Sequence, residues 1–462
     1  MTYADFLARK AQSSAGSGFD PGDLPEFLFP FQRELTSWAV RAGRGALFAD
    51  CGLGKTPMQL AWAETVRRQT GRPVLVVTPL AVSFQTKREA EKFGFDADIS
   101  RLGDVPSGLT ITNYERLENF DPAAFGGVVC DESSAIKSFD GKRRAIVTEF
   151  LRTVPHRMLA TATAAPNDYV ELGTSSEALG QLGHIDMLNR FFVNQNNTSD
   201  TKGHWRGHGA PRAWEGKQWR FKGHAEAAFW RWVASWARAM RKPSDLGFSD
   251  EGFALPPLEH RMHLVSAEHP KEGTLFDVPA VGLAEEREEM RRTINERCEA
   301  AAVALADADT GIAWCHLNDE SRLLTKLIDD AVEVSGSDSP DEKEEKLIGF
   351  SRGDFRVLVT KPSIGAWGLN WQHCHQMTFF PSHSYEQYYQ AVRRCWRFGQ
   401  EHPVTVNVVA TEAGANALKN LERKAAAADR MFDSLVAHMH EGMSIRPTVL
   451  FDEETQVPSW LK

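Results

Sequence analysis

Residues 46–56 read ALFADCGLGKT, and this stretch limits what the chain can fold into more than any other. The apolar run Ala46 to Ala49 predicts a short buried strand, Asp50-Cys51-Gly52-Leu53-Gly54-Lys55-Thr56 a tight turn, and Pro57 to Gln69 the helix that follows. The turn has the make-up of a phosphate-binding loop. Backbone N–H groups can close round a phosphate only where no side chain intrudes, which Gly52 and Gly54 allow on either side of Leu53. Lys55 adds a point charge for the outer phosphates, and Thr56 places a hydroxyl for Mg²⁺. A helix N-terminus facing the anion favours it further. The same string also serves as a plain strand-to-helix connection, so alone it licenses nucleotide binding and no more.

A chain of 462 residues is too long for one growing core, so two or three domains are expected. Six cysteines without a C-x-x-C pair argue against a zinc ribbon or a disulfide framework and fit a reducing compartment. There is no apolar run long enough to span a bilayer and no hydrophobic signal core, so a cytoplasmic protein without a membrane partner is expected. The net charge of −9 requires that any nucleic-acid surface be a local basic patch.

Residues 1–24 are small, polar and turn-rich and read as a loosely held arm. From Phe29, FPFQRELTSWAVRAGRG predicts an amphipathic helix ending at glycine before the phosphate loop. Gln32 at its start is a candidate adenine reader, since a carboxamide offers both a donor and an acceptor; a helix-surface glutamine is the alternative. Buried strands are predicted within 73–82, 109–117 and 125–139, alternating with helices such as Gln85 to Phe93 and Arg143 to Thr153. That is a doubly wound α/β domain over 25–189. Its third strand delivers Asp131 and Glu132 to the edge where open parallel sheets bind ligands. Asp131 would hold Mg²⁺ through water, and Glu132 would polarise the water that attacks the γ-phosphate. Adjacent acids at a strand end are as often solvated turn residues, but a phosphate loop 75 residues upstream makes the pair far more specific. Thr161-Ala162-Thr163 then reads as the end of another strand, either ordinary β-formers or hydroxyls bonded to the acids.

The segment 190–260 changes character. Residues 190–245 hold 11 Lys/Arg against four Asp/Glu and six of the 13 tryptophans, as a basic insertion suited to tracking a nucleic-acid strand would. Phe229, Trp232, Val233 and Trp236 have helical spacing and read instead as a core face. Nucleic-acid contact is therefore assigned to Lys202, Arg206, Arg212, Lys217, Arg220 and Lys222. His204, His208 and His224 lack ligand partners at metal-binding spacing. Over 261–462 a charged helix, AEEREEMRRTINERCEAAAVALA (284–306), precedes a second α/β series without a phosphate loop, with strands at 311–317, 332–337, 355–363, 375–381 and 403–411 and a long terminal helix. In YEQYYQAVRRCWRFGQ (385–400), Arg394 and Arg397 are three apart, hence on one helical face, with Gln390 a turn earlier. Arginines brought to a γ-phosphate by a second domain would neutralise transition-state charge.

With these motifs in order, the chain resembles the superfamily 2 helicase-like ATPases of the Swi/Snf-type remodeller and translocase branch, in a compact phage- or bacterial-style form. The resemblance rests on FQ (31–32), DCGLGKT (50–56), VVTPL (76–80), TNYE (112–115), DESS (131–134), TAT (161–163), SGS (335–337), GAWGLN (365–370) and QAVRRCWRFGQ (390–400), and covers nearly the whole chain. It implies two RecA-like lobes closing on ATP and Mg²⁺ and a motor on nucleic acid, double-stranded DNA for this branch. It also implies that Gln32 contacts adenine, that Lys55 and Thr56 bind the phosphates and Mg²⁺, and that Asp131 and Glu132 serve metal and water. Arg394 and Arg397 would be arginine fingers, Gln390 would couple the domains, and Thr78, Asn113, Tyr114, Lys361 and Asn370 would lie near the nucleic-acid track. Three residues depart from the pattern: Ser133-Ser134, where a small residue and histidine are usual; Ala164, where proline commonly follows; and Trp367, within a motif of small residues. None removes a catalytic group. A monomer is expected, and nuclease or methyltransferase activity, for which no motif is recognisable, would belong to a protein partner. The rival readings are an idle DNA clamp or assembly subunit and a small-molecule phosphotransferase.

Overall fold

The computed structural model of the protein describes residues 18–138, 141–165, 168–194, 219–266, 283–365, 370–382, 384–411 and 415–443. Helix α1 (Pro30–Ala42) starts on a proline, and the Gln32 side chain reaches back to the N–H of Phe29, satisfying a donor that the first turn leaves open. It leads into β1 (Arg44–Ala49), the phosphate loop and α2 (Lys55–Thr70). Then come β2 (Val74–Thr78), β3 (Ala97–Ile99), β4 (Leu109–Asn113), β5 (Gly127–Asp131) and β6 (His156–Thr161). VLVVT, LTITN and GVVCD are buried along their whole length, because a parallel sheet is covered on both faces and its strands need apolar or small side chains throughout.

An antiparallel pair of β7 (Phe192–Asn194) and β8 (Trp219–Phe221) is followed by α3 (Ala225–Trp236) and β9 (Ala237–Met240). The first sheet runs β3-β4-β2-β5-β6-β1-β9, with every pairing parallel. The tryptophan-rich span is thus not a separate insertion throughout: its second half supplies an edge strand, Leu47 lying opposite Arg238. Phe229, Trp232, Val233 and Trp236 form the expected core face, joined by Trp230. Phe229 is wholly buried and ringed by Phe191, Phe192, Phe221, Trp230 and Trp232. Phe229→Ala is expected to lower unfolding free energy by about 3–5 kcal/mol, because it leaves a cavity that rigid rings cannot fill. Urea titration followed by tryptophan fluorescence checks this, and an unchanged first midpoint would contradict it.

The second sheet is built from β10 (Leu258–Val265), β11 (Gly311–Trp314), β12 (Ala331–Val334), β13 (Val357–Thr360), β14 (Gln376–Phe379) and β15 (Val404–Thr411). Its order is β10-β15-β14-β11-β13-β12, again all parallel. The charged stretch expected as one helix over 284–306 is two, Leu283–Arg292 and Ile294–Ala304. Thr293 interrupts it, its hydroxyl donating to the Glu289 carbonyl at 2.8 Å and accepting from Arg297 Nε at 3.1 Å. Helix α4 (Tyr385–Val392) carries the approach to the arginines. Helix α5 (Ala415–Met443) leaves the second lobe and returns to the first, where Met431, Phe432, Leu435 and Met439 share a core with α3 and β9. Among the described residues no helix is long and apolar enough to cross a membrane, and all six cysteines are buried free thiols.

Candidate nucleotide site between the lobes

The loop after β1 depends on its glycines. Gly52 and Gly54 have φ of 87° and 75°, a region costly for residues with a Cβ. A Cβ on Gly54 would stand 2.2 Å from Gln32 Nε2, and one on Gly52 2.8 Å from Phe398 Cδ2. Gln32 is buried, accepts from the Phe29 N–H at 3.0 Å and donates to the Leu53 carbonyl at 2.9 Å. In this conformation it braces the loop, with its carboxamide engaged at both ends. Lys55 Nζ donates to the carbonyls of Ala49 at 3.0 Å and Asp50 at 3.4 Å, a hold that leaves its charge available to an anion in the loop. Thr56 is half-buried at the start of α2.

Asp131 ends β5 with its carboxylate accepting from Gln59 Nε2 at 2.7 Å, while Tyr114 Oη donates to its carbonyl at 2.7 Å. Glu132 follows in a left-handed conformation, φ 46°, which costs a residue with a side chain on the order of 1 kcal/mol. Two backbone bonds hold it there, Ser133 N–H to the Ala160 carbonyl at 3.0 Å and Ala135 N–H to Glu132's own carbonyl at 2.9 Å. The bend turns the Glu132 carboxylate toward Thr161, whose hydroxyl donates to it at 3.2 Å. Burial raises the pKa of both acids above the usual carboxylate range; Lys55 opposes the shift at each, and Arg394 also opposes it at Glu132. Ser134 Oγ lies 3.3 Å from the Thr161 hydroxyl and 3.5 Å from that of Thr163. Thr163 in turn donates to Glu386 of α4 at 3.2 Å, so the hydroxyl chain from Glu132 reaches the second lobe.

The arginines are not on one helical face. The helix stops at Val392 and residues 393–399 run as successive turns. Gln400 fixes those turns, its Nε2 donating to the carbonyls of Gln372, Cys374 and Cys395. Arg394 is buried, with Nε on the Gln390 carbonyl at 3.1 Å. Arg397 donates to Asn370 and has its Cβ 3.5 Å from where a Gly52 Cβ would lie, placing it against the phosphate loop. Burial, with the neighbouring Arg394, lowers the Arg397 pKa to about 10. Both polar atoms of the Gln390 carboxamide are buried without a partner among the described residues, as is Arg397 Nε. Gln59, Tyr389, Arg393 and Phe398 meet this site without having been singled out in the sequence. Phe398, although from the second lobe, packs in the first lobe's core beside Phe31 and Leu53.

Residues expected near a nucleic-acid track divide differently. Thr78, Asn113 and Tyr114 are buried at the ends of β2 and β4. Thr78 bonds to Ser83, and Tyr114 to Asp131, so they shape the sheet edge and present no surface. Lys361 Nζ is 2.6 Å from Asn318 Oδ1, and Asn370 is exposed but serves Arg397. Arg220 is exposed on β8, and Lys222 follows it with its ammonium on the Asn189 carbonyl. Lys202, Arg206, Arg212 and Lys217, like Trp367, lie outside the described residues. Among the described residues no group of three or more His, Cys, Asp or Glu is arranged to hold a metal ion, and a Mg²⁺ site completed by nucleotide phosphates does not need one.

No family model matches the sequence. Over 169 residues the chain is 27% identical to a putative protein p41 of Acyrthosiphon pisum secondary endosymbiont phage 1, a match spanning 31% of this chain and 37% of that protein. The fold is similar to that of S. cerevisiae Dbp5 bound to RNA and ADP BeF3, with a TM-score of 0.52 at 11% identity, covering 88% of this chain and 98% of the other. The chain therefore has the two parallel-sheet lobes of a helicase-like, RecA-type fold.

Proposed function

We propose that the protein is an ATP-driven motor on nucleic acid, hydrolysing ATP between its two lobes and moving on double-stranded DNA. One observation carries the reading: Glu132 lies within electrostatic reach of Lys55 from the phosphate loop and of Arg394 from the other lobe. A strained acid between a loop cation and a second lobe's arginine is the set of groups that in-line attack of water on a γ-phosphate requires. The fold shared with Dbp5, whose structure holds RNA and a nucleotide analogue, supports nucleic acid as the track. Duplex DNA rests on the sequence motifs of the Swi/Snf branch.

Thr56 and Asp131 would hold Mg²⁺, which when bound neutralises phosphate charge. Lys55 and the backbone of residues 52–55 would hold the phosphates, with Gln32 beside the base. Glu132 would take a proton from the attacking water, while Arg394 and Arg397 offset charge on the phosphoryl oxygens. A nucleotide-binding clamp without turnover is the alternative, and it leaves the left-handed Glu132 and the paired arginines without a use.

Phosphate release from Mg-ATP, compared with duplex DNA, single-stranded DNA and RNA, tests the proposal. Duplex DNA is expected to stimulate most, and the stimulated protein to displace a triplex strand. No stimulation by any nucleic acid refutes the motor, and stimulation by RNA alone refutes the choice of track.

A further inference from the structure

We infer that Arg393 is a positioning residue: with Tyr389 it docks the arginine-bearing turn of the second lobe onto Asp50 of the phosphate loop, and so presents Arg394 and Arg397 to the site. For its catalytic consequence this inference rests on the function proposed above. Arg393 is 1% exposed. Its guanidinium pairs with the Asp50 carboxylate, donates to the Cys51 carbonyl at 3.3 Å and to the Trp396 carbonyl at 3.1 Å, and lies 4.8 Å from the Trp396 ring centre. Tyr389 Oη donates to the same Asp50 carboxylate. Asp50 Oδ1 also accepts from the Cys51 N–H at 2.6 Å, so this one side chain shapes its own loop and receives the other lobe.

Two features make the contact a dock and not part of either core. A guanidinium withdrawn from water is costly unless it is paired, and the partner here sits on the opposite lobe, 343 residues earlier in the chain. Opening the lobes would return both charges to water, so the pair can break and re-form with modest net change. Beside it lies a cavity of about 180 Å³, bordered by Asp50, Thr163, Tyr385, Tyr389, Trp396 and Asp429, so the contact faces open space between the lobes on the Asp50 side. Asp50 is also the residue whose carbonyl receives Lys55 Nζ, so the loop lysine and the second lobe act on one residue. The two arginines to be placed follow Arg393 by one and four positions.

The test uses the full chain labelled at Glu118→Cys and Lys326→Cys, exposed positions on opposite lobes; the native thiols are buried and do not compete. Without nucleotide, energy transfer is expected to show a closed population that Arg393→Gln and Asp50→Asn each shift to lower transfer. In stimulated hydrolysis each variant is expected to lose about tenfold, falling on kcat more than KM, and the double variant to lose no more than either alone. Tyr389→Phe, which removes only a hydroxyl, gives the same change in smaller measure, and circular dichroism confirms that each variant is folded. Unchanged transfer in Arg393→Gln, or single losses that multiply in the double variant, overturns the inference. Transfer needs no hydrolysis. An inactive wild type that opens on substitution refutes the motor and leaves the dock; an active one whose closure ignores Arg393 refutes the dock alone.

Discussion

Glu132→Gln is expected to cut nucleic-acid-stimulated phosphate release by about 100-fold or more while Mg-ATP still binds, since a positioned general base is worth that much. The substitution keeps shape. A carboxamide oxygen can still accept the 3.2 Å bond from Thr161, and the left-handed backbone at φ 46° is unaltered. What is lost is the capacity to take a proton. Burial already pushes the Glu132 carboxyl toward its neutral form, and Lys55 and Arg394 are the cations that work against this. These cations favour the ionised carboxylate that can accept a proton, while Asp131 and Glu386 work the other way. Single-turnover phosphate release beside a fluorescent-nucleotide binding curve separates the two effects. Release above a tenth of wild type would remove Glu132 from the role of base.

What could be read in the sequence follows the range of the interactions involved. The β1-loop-α2 unit was legible because its signals are local: an apolar run, two glycines, a lysine and a helix. Two of the edge strands were not. Ala237–Met240 is four residues long and begins where a helix ends, and Leu258–Val265 alternates poorly because most of its residues are exposed on an edge. Only pairing with β1 and β15 makes them strands. The spacing of Arg394 and Arg397 suggested a helix running on to the glycine, since nothing between Val392 and Gly399 breaks one. The helix is ended by tertiary bonds, Arg393 to the phosphate loop and Gln400 to three carbonyls. For the same reason the string around Arg393 carries no local sign of its role. Its partner Asp50 opens the loop turn, and no periodicity links residues so far apart. The acids and the loop could be paired from motif order, whereas the hydroxyl chain through Ser134 and Thr163 to Glu386 became visible only with both lobes in place.

Arg397→Ala should separate activity from stability. Arginine fingers in phosphoryl transfer are worth about 10³-fold or more in kcat, and a loss of that order is expected here. Folding stability, by contrast, should hold or rise. Burial and the neighbouring Arg394 already depress the Arg397 pKa to about 10, so the folded protein holds this cation at a cost. Among the described residues its one side-chain hydrogen bond is to Asn370, Glu89 and Cys51 give weak electrostatic support, and Nε is buried without a partner. Groups that strain the folded state and cluster at a site are what a transition state with extra negative charge would relieve. Alanine removes the strain and the catalysis together. Arg397→Lys should restore charge without the planar fork and recover only a small part of kcat. Thermal melts and stimulated turnover on the same samples decide the matter. A melting temperature lowered by many degrees together with the lost activity would make Arg397 a structural tie to Asn370, and a melting temperature kept or raised would make it a finger held ready for phosphate.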